Sequence, residues 1–312
     1  MTDVPLVSLR VGVVGAGRVG AVVAAALRDA GHEIVAVAGE SDVSRARIAA
    51  LLPGVDVDKP TAVARHCDLL LLTVPDDMLP NVVAMLSASG AIGSGQYVVH
   101  TSGRHGLAVL AAAAAVGARP VALHPAMTFT GTEVDLPRLA GCVFGVTAGD
   151  LEREIADRLV SDLGGRVMRV VEDHRTLYHA ALAHGANHLV TLVAQAMEML
   201  TVAAGDDSDF DPADTLRPLL SAALDNALRE GDAALTGPLA RGDVDTVRGH
   251  LYEVATYAPH TLGSYVALAR DTLDRVVTDG RVLPIRAVKL RRLLDAAATG
   301  AGPARTVVRR GR

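Results

Sequence analysis

A chain of 312 residues with a formal net charge of −5 is long enough for two domains and carries no basic footprint for nucleic acid. Five Tyr, three Phe and no Trp leave few platforms for base stacking, so no nucleic-acid partner is expected. Half of the residues are apolar, chiefly Ala, Val and Leu, a composition that suits tightly packed helices and parallel strands covered on both faces.

Up to residue 175, short β-rich runs alternate with helical ones. Strands are expected at 10–14, 33–38, 68–74, 97–100, 120–123, 142–147 and 166–171. Helices are expected at 19–30, 43–52, 78–89, 107–116 and 151–163. Such alternation predicts an α/β Rossmann domain with a doubly wound parallel sheet over residues 1–172. After Glu172 the strand signal stops. Residues 175–204 form a long helical pattern, apolar on most sides, and further helices are expected at 214–230, 243–257, 261–278 and 285–298. These make an all-α C-terminal domain over 173–298, for substrate binding and dimerisation, with a flexible basic tail over 299–312 that contains Arg305, Arg309, Arg310 and Arg312. The run 188–204 is interrupted by Thr191, Gln195, Glu198 and Thr201, which reads as a buried helix and not a membrane span. With no signal-peptide pattern, and with Cys67 and Cys142 isolated from each other, a cytoplasmic protein with reduced thiols is expected.

The run GAGRVG at 15–20 follows a strand and opens a helix, which is the context of a dinucleotide-binding turn. Gly15 permits the tight turn, Gly17 lets the backbone approach a pyrophosphate, and Gly20 allows close packing. Ala16, Arg18 and Val19 complete that turn. Glu40, at the end of the second strand, is placed to accept from a ribose 2′-OH, whereas Ser41, Arg45 and Arg47 are placed to hold a 2′-phosphate. The residues leave NAD and NADP open. Thr73, Val74 and Pro75 follow the third strand and should border the cofactor, while Asp76 and Asp77 are expected to cap the next helix.

Two further strand ends carry polar groups: HTSG at 100–103, with Ser102, and LHPAMT at 123–128. His124, held extended by the following proline, either faces the crevice as a catalytic group or caps the strand end. In the helical half, His184, Asn187 and His188 are three and four residues apart and should share one helix face, with His179 one turn before them. The His184/His188 pair also has zinc-compatible spacing, but no third ligand is evident and no metal is expected. Asn226, and Arg241 on a turn before the N-cap candidate Asp243, are further substrate-binding candidates; the arginine can clamp a carboxylate or pin helix ends.

The chain resembles the Rossmann-like family whose second half is a helical domain long described as of unknown function, within the 6-phosphogluconate dehydrogenase-like superfamily. The resemblance covers residues 8 to 285 and rests on GAGRVG (15–20), LLTVPDD (71–77), HTSG (100–103), LHPAMTFTG (123–131), LYHAALAHGANHLVTL (177–192) and ALTGPLARGD (234–243). Some members are similar to alternative ketopantoate reductases, which make pantoate with NADPH for pantothenate synthesis. The resemblance therefore implies an NAD(P)H-dependent reductase of a small 2-keto acid, with NADP(H) slightly favoured over NAD(H). An imine reductase of the pyrroline-carboxylate type and a non-catalytic NADP(H)-sensing protein are the alternatives. Superfamily hydroxy-acid dehydrogenases place a Lys four residues before an Asn; Asn187 matches the Asn, but Ala183 stands at the Lys position. The mechanism this implies has Asn187 polarising the substrate carbonyl and His184 or His124 protonating its oxygen. A homodimer through the long helix is expected.

Overall fold

In a computed structural model of the chain, residues 8–39, 41–205 and 209–299 are described. They divide into two compact units at Ala186/Asn187, beyond the break expected at residue 172.

The first unit alternates strands and helices as the apolar pattern requires: β1 (Arg10–Val14), α1 (Arg18–Asp29), β2 (Glu33–Ala38), α2 (Asp42–Leu51), α3 (Pro60–Arg65), β3 (Leu69–Leu72), α4 (Leu79–Ala88) and β4 (Tyr97–His100). Then come a 3₁₀ turn (Leu107–Leu110), α5 (Ala111–Ala115), β5 (Arg119–Pro125), α6 (Leu136–Leu139), β6 (Val143–Ala148), α7 (Arg153–Asp162), β7 (Arg166–Arg169) and α8 (Arg175–Leu182). Val11, Val13 and Val14 of β1 and all four leucines of β3 are buried, as strands covered on both faces must be.

The seven strands lie in the order β2-β1-β3-β4-β5-β6-β7. From β2 to β5 every pairing is parallel, and the strand order reverses at β1, the point where open α/β sheets bind ligands beyond the strands' carboxyl ends. The parallel sheet expected from sequence is present with one departure: β6 pairs antiparallel to β5, with His124 opposite Gly145. Between these strands the chain forms only a 3₁₀ turn and the four-residue α6, too short for the crossover that a parallel return needs. The helix expected over 107–116 is likewise a 3₁₀ turn followed by a single α-turn. Its start is fixed by the Glu172 carboxylate, which accepts from the backbone N–H groups of Leu107 and Ala108 at 2.8 and 3.0 Å.

The long helix expected over 175–204 is broken. After α8, residues Ala183–Asn187 form a π-helical turn, and α9 runs over His188–Ala204. A π-turn is wider than an α-turn, so the three-and-four spacing that would stack His184, Asn187 and His188 on one α-helical face does not hold across it.

In the second unit, α9 is followed by α10 (Pro212–Glu230), α11 (Gly237–Arg241), α12 (Val244–Tyr257), α13 (Leu262–Thr278) and α14 (Pro284–Ala298). Asp243 caps α12 by accepting from the Thr246 N–H, as expected. Val247, Leu251, Leu273, Val276, Leu290 and Leu294 form the core of α12, α13 and α14. No residue of α9 is buried and only Leu216 of α10 is, against the expectation of a buried helix over 188–204. Among the described residues no helix is long and apolar enough to cross a membrane, and no group of three or more His, Cys, Asp or Glu can hold a metal ion. Beyond Thr299, the basic tail lies outside the described residues.

Candidate active site

The glycine turn is built against β3. Gly15 has φ +102°, a conformation open to glycine, and a Cβ there would stand 2.8 Å from the Thr73 carbonyl carbon and the Val74 nitrogen. The Thr73 hydroxyl donates to the Gly15 carbonyl, and a Cβ on Gly20 would collide with that hydroxyl and that carbonyl. Gly17 differs. It is the N-cap of α1, no side chain caps the helix, and a Cβ there would meet no protein atom within 4 Å. The first-turn N–H groups of Arg18, Val19 and Gly20 therefore have the character of an anion-binding helix terminus, and the turn fits a dinucleotide pyrophosphate. Ala16 is buried beneath the turn, while Arg18 is exposed at its rim.

Of the residues weighed for the adenosine ribose, Glu40 lies outside the described residues. Ser41 is the N-cap of α2, accepting from the Ser44 N–H. The exposed Arg45 pairs with Asp42 at 3.1 Å. Arg47 turns back to the glycine turn, donating to the carbonyls of Gly131 at 3.1 Å and Ala16 at 3.5 Å. The Thr130–Gly131 loop is itself fixed by the fully buried Asp135, which accepts from both backbone N–H groups at 2.8 Å. Thr73 and Val74 are half-buried and Pro75 is exposed. Asp76 and Asp77 do not cap α4; the Pro75 carbonyl accepts from Met78 and Leu79 instead, and Met78 is the N-cap.

At the carboxyl ends of β4 and β5 the first unit gathers a second constellation. His100 is fully buried; its Nδ1 accepts from the Ser102 N–H at 3.1 Å and its Nε2 donates to the Gly106 carbonyl at 2.9 Å. Those two bonds assign a neutral Nε2–H tautomer. Burial pushes its pKa from 6.5 down to about 4, against the opposing bond to Gly106. Ser102 is buried too, its hydroxyl accepting from the His105 N–H at 3.1 Å. Its carbonyl accepts from Arg175.

His124 is half-buried, with Nδ1 at 2.9 Å from the Tyr178 hydroxyl. The His179 ring stands edge-on to it, centroids 5.9 Å apart. Gly103 makes room for this pair, since a Cβ there would lie 2.7 Å from His179 Cδ2 and 3.1 Å from His124 Nε2. Gly145 does the same for Tyr178, whose Cζ and hydroxyl would meet a Cβ at 2.5 Å. Burial first, and then the Arg175 charge, lower the His124 pKa to about 4, so its imidazole is neutral near pH 7.

The sequence reading passed over two members of this cluster, Arg175 and Tyr178. Arg175 is 1% exposed and donates to the carbonyls of Gly145 and Ser102 and to the Thr147 hydroxyl. Its charge centre lies 5.6 Å from the Tyr178 ring centroid. The signal was available: Arg175, Tyr178 and His179 are three and four residues apart on α8 and share a face. The structure thus brings together His124, His179 and the backbone of Ser102. His184, in the π-turn, is exposed in the first unit. Asn187, Asn226 and Arg241 are exposed in the second, where Asn226 accepts from Arg229 at 3.0 Å.

The sequence matches a Rossmann-like domain over residues 1–125 and the family described as Domain of unknown function (DUF2520) over residues 142–272. A Bacteroides fragilis protein assigned as an NADP oxidoreductase superposes with a TM-score of 0.72 at 21% identity, over 86% of this chain and 98% of its own. An imine reductase from Myxococcus stipitatus, in complex with NADP+, gives 0.58 at 15% identity over 94% and 96% of the two chains. A pyrroline carboxylate reductase from Plasmodium falciparum with NADP bound gives 0.53 at 12% identity over 86% and 98%. At these identities the likeness is one of fold. No curated protein sequence matches.

Two expectations follow from the glycines and the histidines. Gly20→Ala should lower stability by roughly 1–3 kcal/mol through overpacking, whereas Gly17→Ala should leave the cofactor-free melting curve unchanged and weaken dinucleotide binding by roughly tenfold or more. Thermal melts and a fluorescence titration with NADPH separate the two. For His100, a folded pKa of about 4 below the unfolded 6.5 means that the unfolded chain binds the extra proton between these values. Its stabilisation is complete above pH 6.5 and should decline by roughly 3 kcal/mol as pH falls to 4. Denaturant melts of His100→Asn, compared with the parent across that range, should show a flatter acid slope.

Proposed function

We propose that this chain is an NADP(H)-dependent reductase of a small 2-keto acid, with ketopantoate to pantoate as the specific reaction. The observation that carries this reading is the polar cluster around His124, in the same unit as the glycine turn. At His124 the largest charge effect is the repulsion of a second cation by Arg175. Asp76 opposes more weakly than Arg175. A site of that polarity favours a carbonyl oxygen gaining negative charge over an iminium that is already positive. A bound nicotinamide would supply the hydride; the chain itself offers the Gly17 helix terminus for the phosphates and a neutral imidazole for the substrate oxygen. The NADP(H) preference is supported by the NADP carried in the imine reductase and pyrroline carboxylate reductase structures.

Those two similarities also favour a second reading, reduction of a cyclic imine. NADPH oxidation measured with ketopantoate, other 2-keto acids and a pyrroline carboxylate separates the two. Turnover on keto acids at least tenfold faster than on the imine is expected, and the reverse order would transfer the assignment to imine reduction. Among the site residues, His184→Ala and Asn187→Ala should each lower that turnover, and near-parent turnover on ketopantoate would remove the roles that the family resemblance implies for them.

We also propose a homodimer formed through the helical unit. Leu189, Val190 and Leu192 of α9 and Leu219, Leu224 and Leu228 of α10 are exposed, Leu228 to 80%. An apolar groove of about 400 Å³ lies between α9 and α12, lined by Met199, Val202, Val254 and Tyr257. Apolar surface of that extent on two neighbouring helices calls for a partner. Light scattering should report twice the 32.3 kDa chain mass, and Val190→Asp with Leu228→Asp should shift it to one.

A further inference from the structure

We propose that Tyr178 and His124 form a two-proton relay: His124 Nε2–H protonates the substrate oxygen while the Tyr178 hydroxyl restores a proton to Nδ1. This rests on the reductase reading above and extends it to a residue outside the sequence-derived site. Its geometric basis is threefold. Tyr178 Oη and His124 Nδ1 are 2.9 Å apart. The phenol ring is seated on Gly145, where any side chain would displace it. Nε2, on the opposite side of the imidazole, faces Gly103, which has no side chain and where a Cβ would stand 3.1 Å away.

The chemistry requires such an arrangement. A neutral imidazole is a poor acid alone, because losing Nε2–H without replacement would leave an imidazolate. Simultaneous gain of a proton at Nδ1 returns it to the neutral form as the other tautomer. Protons balance throughout: the carbonyl carbon receives hydride from the reduced nicotinamide, and its oxygen takes the Nε2 proton. Nδ1 takes the phenolic proton; once the product has left, Nδ1 returns it to the phenolate as Nε2 takes a proton from water, which leaves as hydroxide, and both groups are restored. Neither imidazolate nor imidazolium forms.

The surrounding charges act in the same direction. On α8, the Arg175 cation disfavours an imidazolium at His124 and favours a phenolate at Tyr178, as does a backbone bond from Gly145 on β6. His179 and His100 also disfavour imidazolium, while Asp76 after β3 favours it. Burial and Cys142, just before β6, hold the Tyr178 pKa above its ordinary value, so the hydroxyl keeps its proton until the oxyanion appears. Tyr178 acts through His124 and is thus a positioning residue that also carries the second proton.

Tyr178→Phe keeps the ring on Gly145 and removes only the hydroxyl. Three measurements test the relay: single-turnover reduction of a keto acid, a proton inventory in H₂O/D₂O mixtures, and ¹⁵N spectra of histidine-labelled, cofactor-free protein. A rate loss of roughly a hundredfold is expected, with the NADPH dissociation constant within about twofold of the parent's. The inventory should be curved in the parent, two protons being in flight, and linear in the variant. In the parent, Nδ1 of His124 should be unprotonated, a readout that needs neither turnover nor a folded variant. A variant rate within twofold of the parent, a curved inventory in the variant, or a protonated Nδ1 in the parent would each overturn the relay and leave the reductase reading standing. A parent that turns over no keto acid overturns that reading, and the relay with it.

Discussion

The polar end of the first unit depends on one buried cation. Arg175 enters from the first turn of α8 and donates to oxygens of two segments of the sheet: the Gly145 carbonyl and Thr147 hydroxyl of β6, and the Ser102 carbonyl after β4. A guanidinium sheltered from water must have its N–H groups answered, because a lost partner leaves a desolvated donor. Its Nε is the one group of the side chain with no partner among the described residues, and burial lowers the pKa of the whole guanidinium. The consequence is mechanical as well as electrostatic. Ser102 is held between Arg175 and His100. Gly145 is pinned beneath Tyr178, so the phenol meets His124 in one orientation.

This arrangement explains why the compact unit extends beyond the last strand. A break at residue 172 follows from where strand-forming residues stop, and composition can show no more than that. The helix α8 nonetheless belongs with the sheet, because Arg175 and Tyr178 are bonded to β4–β6 and Glu172 caps the 3₁₀ turn after β4. Local pattern does not reveal such long-range ties: an arginine at the head of an apolar helix reads equally well as solvated. The same limit applies to β6. Its identity as a strand is plain in VFGVTA, but its direction depends on whether residues 126–142 cross the face of the sheet, which no local periodicity encodes.

What was legible had a local cause. GAGRVG requires a strand before it and a helix after it, and each glycine answers to backbone geometry within the unit: Gly15 by its positive φ, Gly20 by contact with Thr73, Gly17 by the open space before it. Of the site, His124 and the HTSG segment were visible because polar residues at strand ends are conspicuous in so apolar a chain, and His179 because it lies in a helical pattern that is apolar on most sides. Their protonation was not. The shift of His124 and His100 to about 4 arises from burial and from a cation some fifty residues or more along the chain, and only the fold brings these together. The π-turn at Ala183–Asn187 was also hidden, since AHGAN has no residue that excludes a regular α-helix.

On the proposed reading, the departure from the superfamily pattern at Ala183 acquires a physical sense. A lysine ammonium near a carbonyl does two jobs with one group: it offers positive charge to the developing oxyanion and it donates the proton. In this chain the two jobs are divided. Arg175 supplies a permanent charge that no accessible pH removes, and His124 supplies the proton without ever bearing charge. A fixed cation raises the cost of protonating the imidazole and lowers the cost of leaving negative charge on Tyr178 or on a substrate oxygen. These are the same electrostatic effect felt at three positions. The division requires that the cation be held still and the imidazole kept dry. That is why the arginine is buried on carbonyls and not paired with a carboxylate, which would cancel the field that the rest of the cluster uses.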